Sequence, residues 1–174
     1  MNTQNPMKQI KLEKITLNIG VGKDPNKLEK ALKLLEKITE KKPVKTTTSK
    51  RIPAWNLRPG LEIGCKITLR KKRAEEVLKR LLSAKEHKLK ESQFDEKGNL
   101  AFGLHEYIDI PGMKYEHEIG ILGLEVSVTL ERPGFRIKKR KIRKSHIGKN
   151  HRITKAEAIE FMQKNFNVKM GEEE

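Results

Sequence analysis

The sequence predicts an α+β fold: a single domain with a mostly antiparallel β-sheet, helices packed on one face, and long basic loops. Three segments alternate apolar and polar residues with a period of two, which is typical of half-buried strands. Amphipathic helices interrupt these segments, which favours a sheet covered by helices on one side. The chain has 174 residues, of which 35% are hydrophobic, and this suffices for one domain with a modest core.

The chain begins with a predicted strand and a helix. Residues 10–21 alternate with a phase slip at residues 13–14, which indicates two short strands or one bulged strand. Asp24 is a good N-cap and Pro25 suits the first helical position. Apolar residues at helical spacing then continue to Ile38, so the first helix is predicted to end shortly after it.

The later elements follow from the same two periodicities and from turn and capping residues. The final helix is predicted to bury Ile159, Met162 and Phe166, and Thr154 with Glu157 forms its capping box. The other predicted elements are short strands at 43–48 and 61–70, a helix over 72–84, a hairpin or strand–turn–strand within 91–107, and a strand at 122–130.

The charge of the chain indicates a polyanionic partner. It carries 39 Lys and Arg against 23 Asp and Glu, a formal net charge of +16. Because the basic residues are clustered, nucleic-acid binding is favoured over a merely solubilising surface. We divide the chain into a flexible N-terminus (1–9), one nucleic-acid-binding domain (10–169) that includes a basic segment (132–155), and an acidic tail (170–174).

Cysteine content and hydropathy indicate the compartment. Cys65 is the only cysteine, so a disulfide framework is excluded. The sequence contains no apolar run of about 18 residues and no signal-peptide core. A cytoplasmic protein without membrane insertion is expected, although charge alone does not exclude binding to an anionic membrane surface.

The polar faces of two predicted strands carry small and hydrogen-bonding residues. If the strands are neighbours, they form a platform that suits the phosphates, 2′-hydroxyls and shallow minor groove of RNA. An ordinary solvent-facing sheet would also be polar, so both interpretations stay open here. If the strands form an RNA platform, a bulky residue at Gly64 is expected to keep RNA away. The platform residues are Thr16, Asn18, Gly20, Gly22, Gly64, Lys66, Thr68 and Arg70.

Two further clusters of basic residues lie in a loop and in a segment near the C-terminus. The loop SKRIPAWNLRPG (49–60) holds the only tryptophan, Trp55, for which contact with a partner and local packing are the two alternatives. Residues 132–155 contain eleven basic residues and no acid, a pattern typical of arms that bind nucleic acid. Phe135 and Phe94 could stack on bases, with core burial favoured for Phe94. The predicted RNA contacts of this segment are Arg136, Lys138, Lys139, Arg140, Lys141, Arg143, Lys144 and Lys149.

No enzymatic or metal chemistry is predicted. GVGKDP (20–25) lacks the third glycine of a dinucleotide fingerprint and the Gly-Lys-Ser/Thr of a P-loop. His146 and His151 have no carboxylate or thiolate neighbour in sequence with which to hold zinc. Cys65 lies on an apolar face, where it does not form a nucleophilic pair. We expect no catalytic residue, no metal and no cofactor.

Several long motifs resemble one family. KITLNIGVG (14–22), TSKRIPAWNLRPGLEIGCKITLR (48–70) and FDEKGNLAFGLHEYIDIPGM (94–113) are similar, in order and spacing, to the L-five family of large-subunit ribosomal proteins that bind 5S rRNA. RPGFRIKKRK (132–141) and IGKNHRITKAEAIEFM (147–162) resemble the ending of its archaeal and eukaryotic branch. The resemblance covers roughly residues 11–169.

This resemblance implies a ribosomal role. It implies that the chain holds 5S rRNA in the central protuberance through the platform residues, beside 23S-type rRNA and other large-subunit proteins in the cytoplasmic ribosome. It also implies that the loop 49–60 reaches the tRNA in the peptidyl site. In bacterial members Ala-Gly-Phe stands in the neighbourhood of Pro53 and Trp55. The loop residues implied to contact tRNA are Lys50, Arg51, Trp55, Asn56 and Arg58.

Two other function classes are possible from the sequence alone. A stand-alone RNA-binding protein or RNA chaperone would have broad RNA affinity and would not sediment stably with large subunits. An RNA-modifying enzyme would need a cofactor pocket, for which the residues give no signal.

Overall fold

The fold is built around one five-stranded sheet, as seen in a computed structural model that describes residues 5–171. The helices and strands of the described residues are, in chain order, β1 (Lys11–Gly20), α1 (Pro25–Thr39), β2 (Val44–Thr47), β3 (Glu62–Leu69), α2 (Lys72–Ala84), β4 (Lys88–Lys90), β5 (Leu100–Leu104), β6 (Leu124–Glu131), α3 (Lys155–Phe166) and β7 (Lys169–Gly171). The sheet has the strand order β2-β3-β1-β6-β5, and each pair of neighbouring strands in it is antiparallel. The predicted α+β class is confirmed.

The central strand β1 explains the phase slip in the sequence. It pairs with β3 on one side and with β6 on the other. Its register with β6 shifts between Leu12 and Lys14, so Glu13 is the extra residue of a β-bulge. After the bulge, Ile15, Leu17 and Ile19 are buried. The two short strands considered from sequence are therefore one continuous bulged strand.

Capping residues fix where the predicted helices begin. The Asp24 carboxylate accepts hydrogen bonds from the backbone N–H groups of Asn26 at 3.0 Å and Lys27 at 3.4 Å, which satisfies free donors of the first turn of α1. The Glu157 carboxylate accepts from the Thr154 backbone N–H at 3.0 Å, and the Thr154 hydroxyl accepts from the Glu157 N–H at 3.4 Å. This reciprocal pair is the predicted capping box of α3.

The helices cover one face of the sheet and leave the other uncovered. The apolar residues of α1 and α2 join those of β1, β3 and β6 in one core cluster. All five apolar residues of α2 that face this cluster are buried: Ala74, Val77, Leu78, Leu81 and Leu82. Within residues 5–171, no helix covers the opposite face, called the outer face below, which carries the polar residues of β1, β3 and β6.

Some details differ from the prediction. In place of a regular hairpin within 91–107, a 3-10 turn at Glu91–Gln93 leads to a single bridge between Phe94 and Leu100, and only β5 is a strand. In α3, Ala158 is buried with Met162 and Phe166, whereas Ile159 is half-buried. The short parallel pair β4–β7 was not predicted; each of its strands has three residues, too few for a visible period.

The predicted termini lie partly outside the described residues, which exclude 1–4 and 172–174. Within the N-terminal range 1–9, Pro6–Lys8 form a 3-10 turn whose start is capped by the Asn5 side chain. The strand β7 extends two residues beyond residue 169, the predicted end of the domain.

Candidate nucleic-acid interface

The predicted platform residues of β1 and β3 are direct neighbours on the outer face. Thr16 pairs with Thr68, Asn18 with Lys66, and Gly20 with Gly64. The alternation in each strand placed these residues on one face, and the antiparallel register brings them side by side. Lys66 and Thr68 are exposed, and Thr16 and Asn18 are half-buried between their neighbours.

The three glycines of this surface have different structural roles. A Cβ added at Gly64 would lie 2.6 Å from the carbonyl oxygen of Ile19 and 3.1 Å from the Thr46 hydroxyl. Gly64 is thus required by strand packing, so a larger residue there would also disturb the pairing of β1 with β3. The expectation that such a residue keeps RNA away stays a prediction. Gly20 has no heavy atom within 4 Å of its Cβ position. Gly22 adopts φ +69° in the turn after β1, a conformation that favours glycine.

A buried carboxylate ties Arg70 to the basic segment. Glu13, 7% exposed, pairs with the Arg70 guanidinium at 3.1 Å and the Lys139 ammonium at 2.6 Å. Lys139 also pairs with Glu131 at 3.0 Å. Burial alone would raise the pKa of Glu13, but Lys139 and Arg70 outweigh it and hold the pKa below its ordinary value. Two predicted RNA contacts, Arg70 and Lys139, are therefore partly committed to an internal ion-pair cluster.

The outer face also carries an acidic side chain, Glu125, which was not predicted from the sequence. Glu125 lies opposite Asn18 across β1 and β6, and its carboxylate accepts a hydrogen bond from the Asn18 side-chain amide at 3.1 Å. The alternation of residues 122–130 does place Glu125 on the polar face of its strand. The pairing of β6 with β1, however, joins residues 107 positions apart and leaves no local signal.

The loop between β2 and β3 projects as a partly paired hairpin. At its base, the Gly60 N–H donates to the Thr48 carbonyl at 2.8 Å, and farther out Ile52 and Leu57 exchange two backbone hydrogen bonds of 3.1 Å. Trp55 lies at the tip in a 3-10 turn, 68% exposed. A local packing role is thereby disfavoured. The predicted contact residues of the loop are all exposed: Lys50, Arg51, Trp55, Asn56 and Arg58.

The basic segment has a buried beginning and an exposed remainder. Arg132 is 5% exposed; its guanidinium pairs with Glu157 at 2.6 Å and donates to the Arg152 carbonyl at 3.0 Å. This side chain fastens the end of the segment to the end of β6. Phe135 is buried against His151, so the suggestion that it stacks on bases is wrong. The eight predicted contact residues are all exposed: Arg136, Lys138, Lys139, Arg140, Lys141, Arg143, Lys144 and Lys149.

Residues 5–171 contain neither a thiol of lowered pKa nor a cluster of metal ligands. Burial raises the pKa of the Cys65 thiol to about 11, so the thiolate nucleophile is disfavoured at neutral pH. Between residues 5 and 171, no cluster of three or more His, Cys, Asp or Glu could hold a metal ion. Over the same range, no helix is long and apolar enough to cross a bilayer.

Comparison with known proteins identifies the family. A family model described as ribosomal protein L5 matches residues 5–58, and a second model, for the C-terminus of the same ribosomal family, matches residues 62–161. The chain belongs to the ribosomal protein L5 family. The family indicated by the motifs is thus confirmed.

Archaeal relatives match nearly the whole chain. Proteins named large ribosomal subunit protein uL5 are 49% identical over 171 residues in Sulfurisphaera tokodaii (98% of this chain, 97% of the relative). The uL5 protein of Nanoarchaeum equitans is 49% identical over 168 residues, which cover 96% of this chain and 99% of the relative. The uL5 protein of Methanosphaera stadtmanae is 44% identical over 164 residues, which cover 94% of this chain and 98% of the relative.

The two L5 family regions meet within one sheet. The N-terminal region contains β1 and β2, whereas β3, β5 and β6 belong to the C-terminal region. Because β1 lies between β3 and β6, neither region contains the complete outer face. The platform residues therefore come together only when both regions fold as one unit.

Proposed function

We propose that this chain is a structural, non-enzymatic constituent of the large ribosomal subunit that binds 5S rRNA through its outer face. In this proposal it anchors 5S rRNA in the central protuberance, in the cytoplasmic ribosome. The observation that carries the proposal is the uncovered outer face of an L5-family chain, on which the polar residues of β1 and β3 pair directly.

Shape and hydrogen bonding on the outer face support recognition of folded RNA. Close approach of the RNA requires a surface without bulky side chains, and Gly20 provides open space there. The hydroxyls of Thr16 and Thr68 can donate to phosphates or accept from 2′-hydroxyls. Lys66 adds an exposed cation beside Asn18, which supplies affinity and register through phosphate contact.

The exposed basic regions supply the remaining contacts in this proposal. The exposed cations of residues 140–149 suit the phosphates of 23S-type rRNA beside other large-subunit proteins. The loop 49–60 projects beyond the paired ends of β2 and β3, so it can reach a second RNA while 5S rRNA occupies the sheet. We assign that second RNA to the tRNA in the peptidyl site, contacted by Lys50, Arg51, Trp55, Asn56 and Arg58.

Sedimentation tests the assignment directly. A native lysate is separated on a sucrose gradient at moderate salt, and fractions are probed for this chain and for 5S rRNA. The chain is expected in the large-subunit peak together with 5S rRNA. Free migration away from that peak, with similar affinity for unrelated RNAs in a filter-binding assay, would instead indicate a stand-alone RNA-binding protein or chaperone.

A further inference from the structure

A carboxylate on a surface that binds RNA requires an explanation, because it repels phosphates. Glu125 is exposed on the outer face of a chain with a net charge of +16. Among the described residues, no cation lies within ion-pair distance of it, and its hydrogen-bond partner is the Asn18 amide at 3.1 Å. Solubility does not require an acid here, since the rest of the surface is already highly charged.

The bond to Glu125 fixes the orientation of the Asn18 side chain. An ionised carboxylate only accepts hydrogen bonds, so the Asn18 NH₂ group must face it. The Asn18 carbonyl oxygen then faces away from Glu125, and no protein donor within residues 5–171 bonds to it. Without Glu125, the two ends of the amide could exchange places.

The outer face consequently has a gradient of chemistry from β3 to β6. One row across the sheet places the Lys66 ammonium, the Asn18 amide and the Glu125 carboxylate on successive strands. The next row contains hydroxyls, with Thr68, Thr16 and Ser127 in the same order. In the first row the cation thus lies on β3 and the carboxylate on β6, with the Asn18 amide between them.

We propose that Glu125 is a positioning residue that makes Asn18 an acceptor for hydrogen-bond donors of the bound RNA. This inference rests on the proposed function. On the minor-groove side of an RNA helix, two groups have the required chemistry: the ribose 2′-hydroxyl and the exocyclic amino group of guanine. Phosphates contact the Lys66 side, and the sugar and base edges lie over Asn18 and Glu125.

Removing the negative charge of Glu125 tests the proposal, because the two explanations predict opposite changes in affinity for 5S rRNA. If Glu125 were only an unfavourable charge, Glu125→Ala would tighten binding of a 5S rRNA transcript. We expect it instead to weaken binding about tenfold, the loss of roughly one hydrogen-bonded contact. The matched control is Glu62→Ala, which removes an exposed acid paired with Lys45; it should leave affinity unchanged or slightly tighter. Tighter binding by both variants, at unchanged thermal stability, overturns the proposal.

A double variant tests the positioning role itself. Because Glu125 acts through Asn18, Asn18→Ala combined with Glu125→Ala should bind 5S rRNA as Asn18→Ala alone does. Losses that simply multiply would show that Glu125 acts independently of Asn18, and this part of the proposal would be wrong.

Nucleotide-analogue interference identifies the RNA group. Pools of 5S rRNA with 2′-deoxynucleotides, or with inosine in place of guanosine, are selected for binding to wild-type protein and to Asn18→Ala. A 2′-deoxy effect that disappears in the variant assigns the 2′-hydroxyl, and an inosine effect assigns the guanine amino group. If the only interference that depends on Asn18 comes from phosphate modification, the proposal is overturned. A wild-type protein that does not bind 5S rRNA at all contradicts the proposed function first.

Discussion

The outer face of the sheet and the two exposed basic regions present charge to a partner in different ways. On the outer face, each polar residue projects from a strand whose alternate residues are buried, so its position is fixed by the core. In the loop 49–60 and in residues 140–149, the cations are exposed and few side chains are anchored. In the proposed function, the sheet therefore discriminates between RNA shapes, whereas the basic regions mainly supply affinity that depends on salt. Five predictions test this difference.

The largest effect is expected for Gly64→Val, and it is a loss of stability. The added Cβ would lie 2.6 Å from a backbone carbonyl, and backbone cannot move aside as a flexible side chain can. We expect about 3 kcal/mol lower free energy of unfolding, as for other severe packing clashes. Urea denaturation measures this loss; wild-type stability would show that β1 and β3 separate easily.

Gly20→Val should separate RNA binding from stability. Nothing lies within 4 Å of the added Cβ, and valine suits a strand, so the melting temperature should stay near that of the wild type. The side chain would stand on the outer face and weaken 5S rRNA binding about tenfold, or ~1.4 kcal/mol. Ala156→Val, at an exposed position of α3, is the matched control. Equal affinities of the two variants in filter binding would place the RNA elsewhere.

Glu13→Gln should reduce stability in a way that depends on pH. Since the folded-state pKa of Glu13 is lowered from 4.5, its ion pairs stabilise the fold fully above that pH and are lost as pH falls through the lower folded value. At pH 7 we expect a loss of about 1–2 kcal/mol, because the partners are partly solvated. Thermal melts should converge for wild type and variant in strong acid. A constant difference at all pH values would contradict the ion-pair explanation.

Lys141→Ala should have a small effect on RNA binding. Lys141 is exposed and has no ion-pair partner among the described residues, so it contributes about one phosphate contact at most. We expect a two- to threefold weaker affinity and a salt dependence reduced by about one unit of log–log slope. Lys139→Ala is the informative comparison, since it should also lower the melting temperature through Glu13.

Deletion of residues 51–58 should have the smallest effect on 5S rRNA binding. The hydrogen bonds between Thr48 and residues 60–61 close the base of the loop, so the strands β2 and β3 should stay paired. We expect 5S rRNA affinity within about twofold of wild type, together with weaker protection of peptidyl-site tRNA in ribosome footprinting. Loss of 5S binding with an intact fold would assign the loop to the platform.

The sequence was most informative where one local pattern determines the structure. Alternation placed Asn18 and Lys66 on polar faces, and the capping residues located the starts of α1 and α3. The bulge was visible as a phase slip because a single extra residue reverses the faces of a strand. These features need only the chemistry of neighbouring residues.

Features that depend on distant pairing were missed. Arg132 and Phe135 lie in a run of basic residues that looks like surface, yet contacts with residues 151–157 bury them. Likewise, the role of Gly64 depends on the close approach of Ile19, and that of Glu125 on the register between β1 and β6. No local period encodes which strand lies beside which.

The strand order also dictates when the protein can fold during its own synthesis. The middle strand, β1, is made first, yet one of its two partners is completed only at residue 131. Until then the apolar residues of β1 lack one of their partner strands and can aggregate. This risk is typical of folds whose contacts join distant parts of the chain. The proposed RNA-binding surface therefore does not exist on the emerging N-terminal half. If the outer face binds RNA as proposed, each newly made copy can bind it only late in its synthesis.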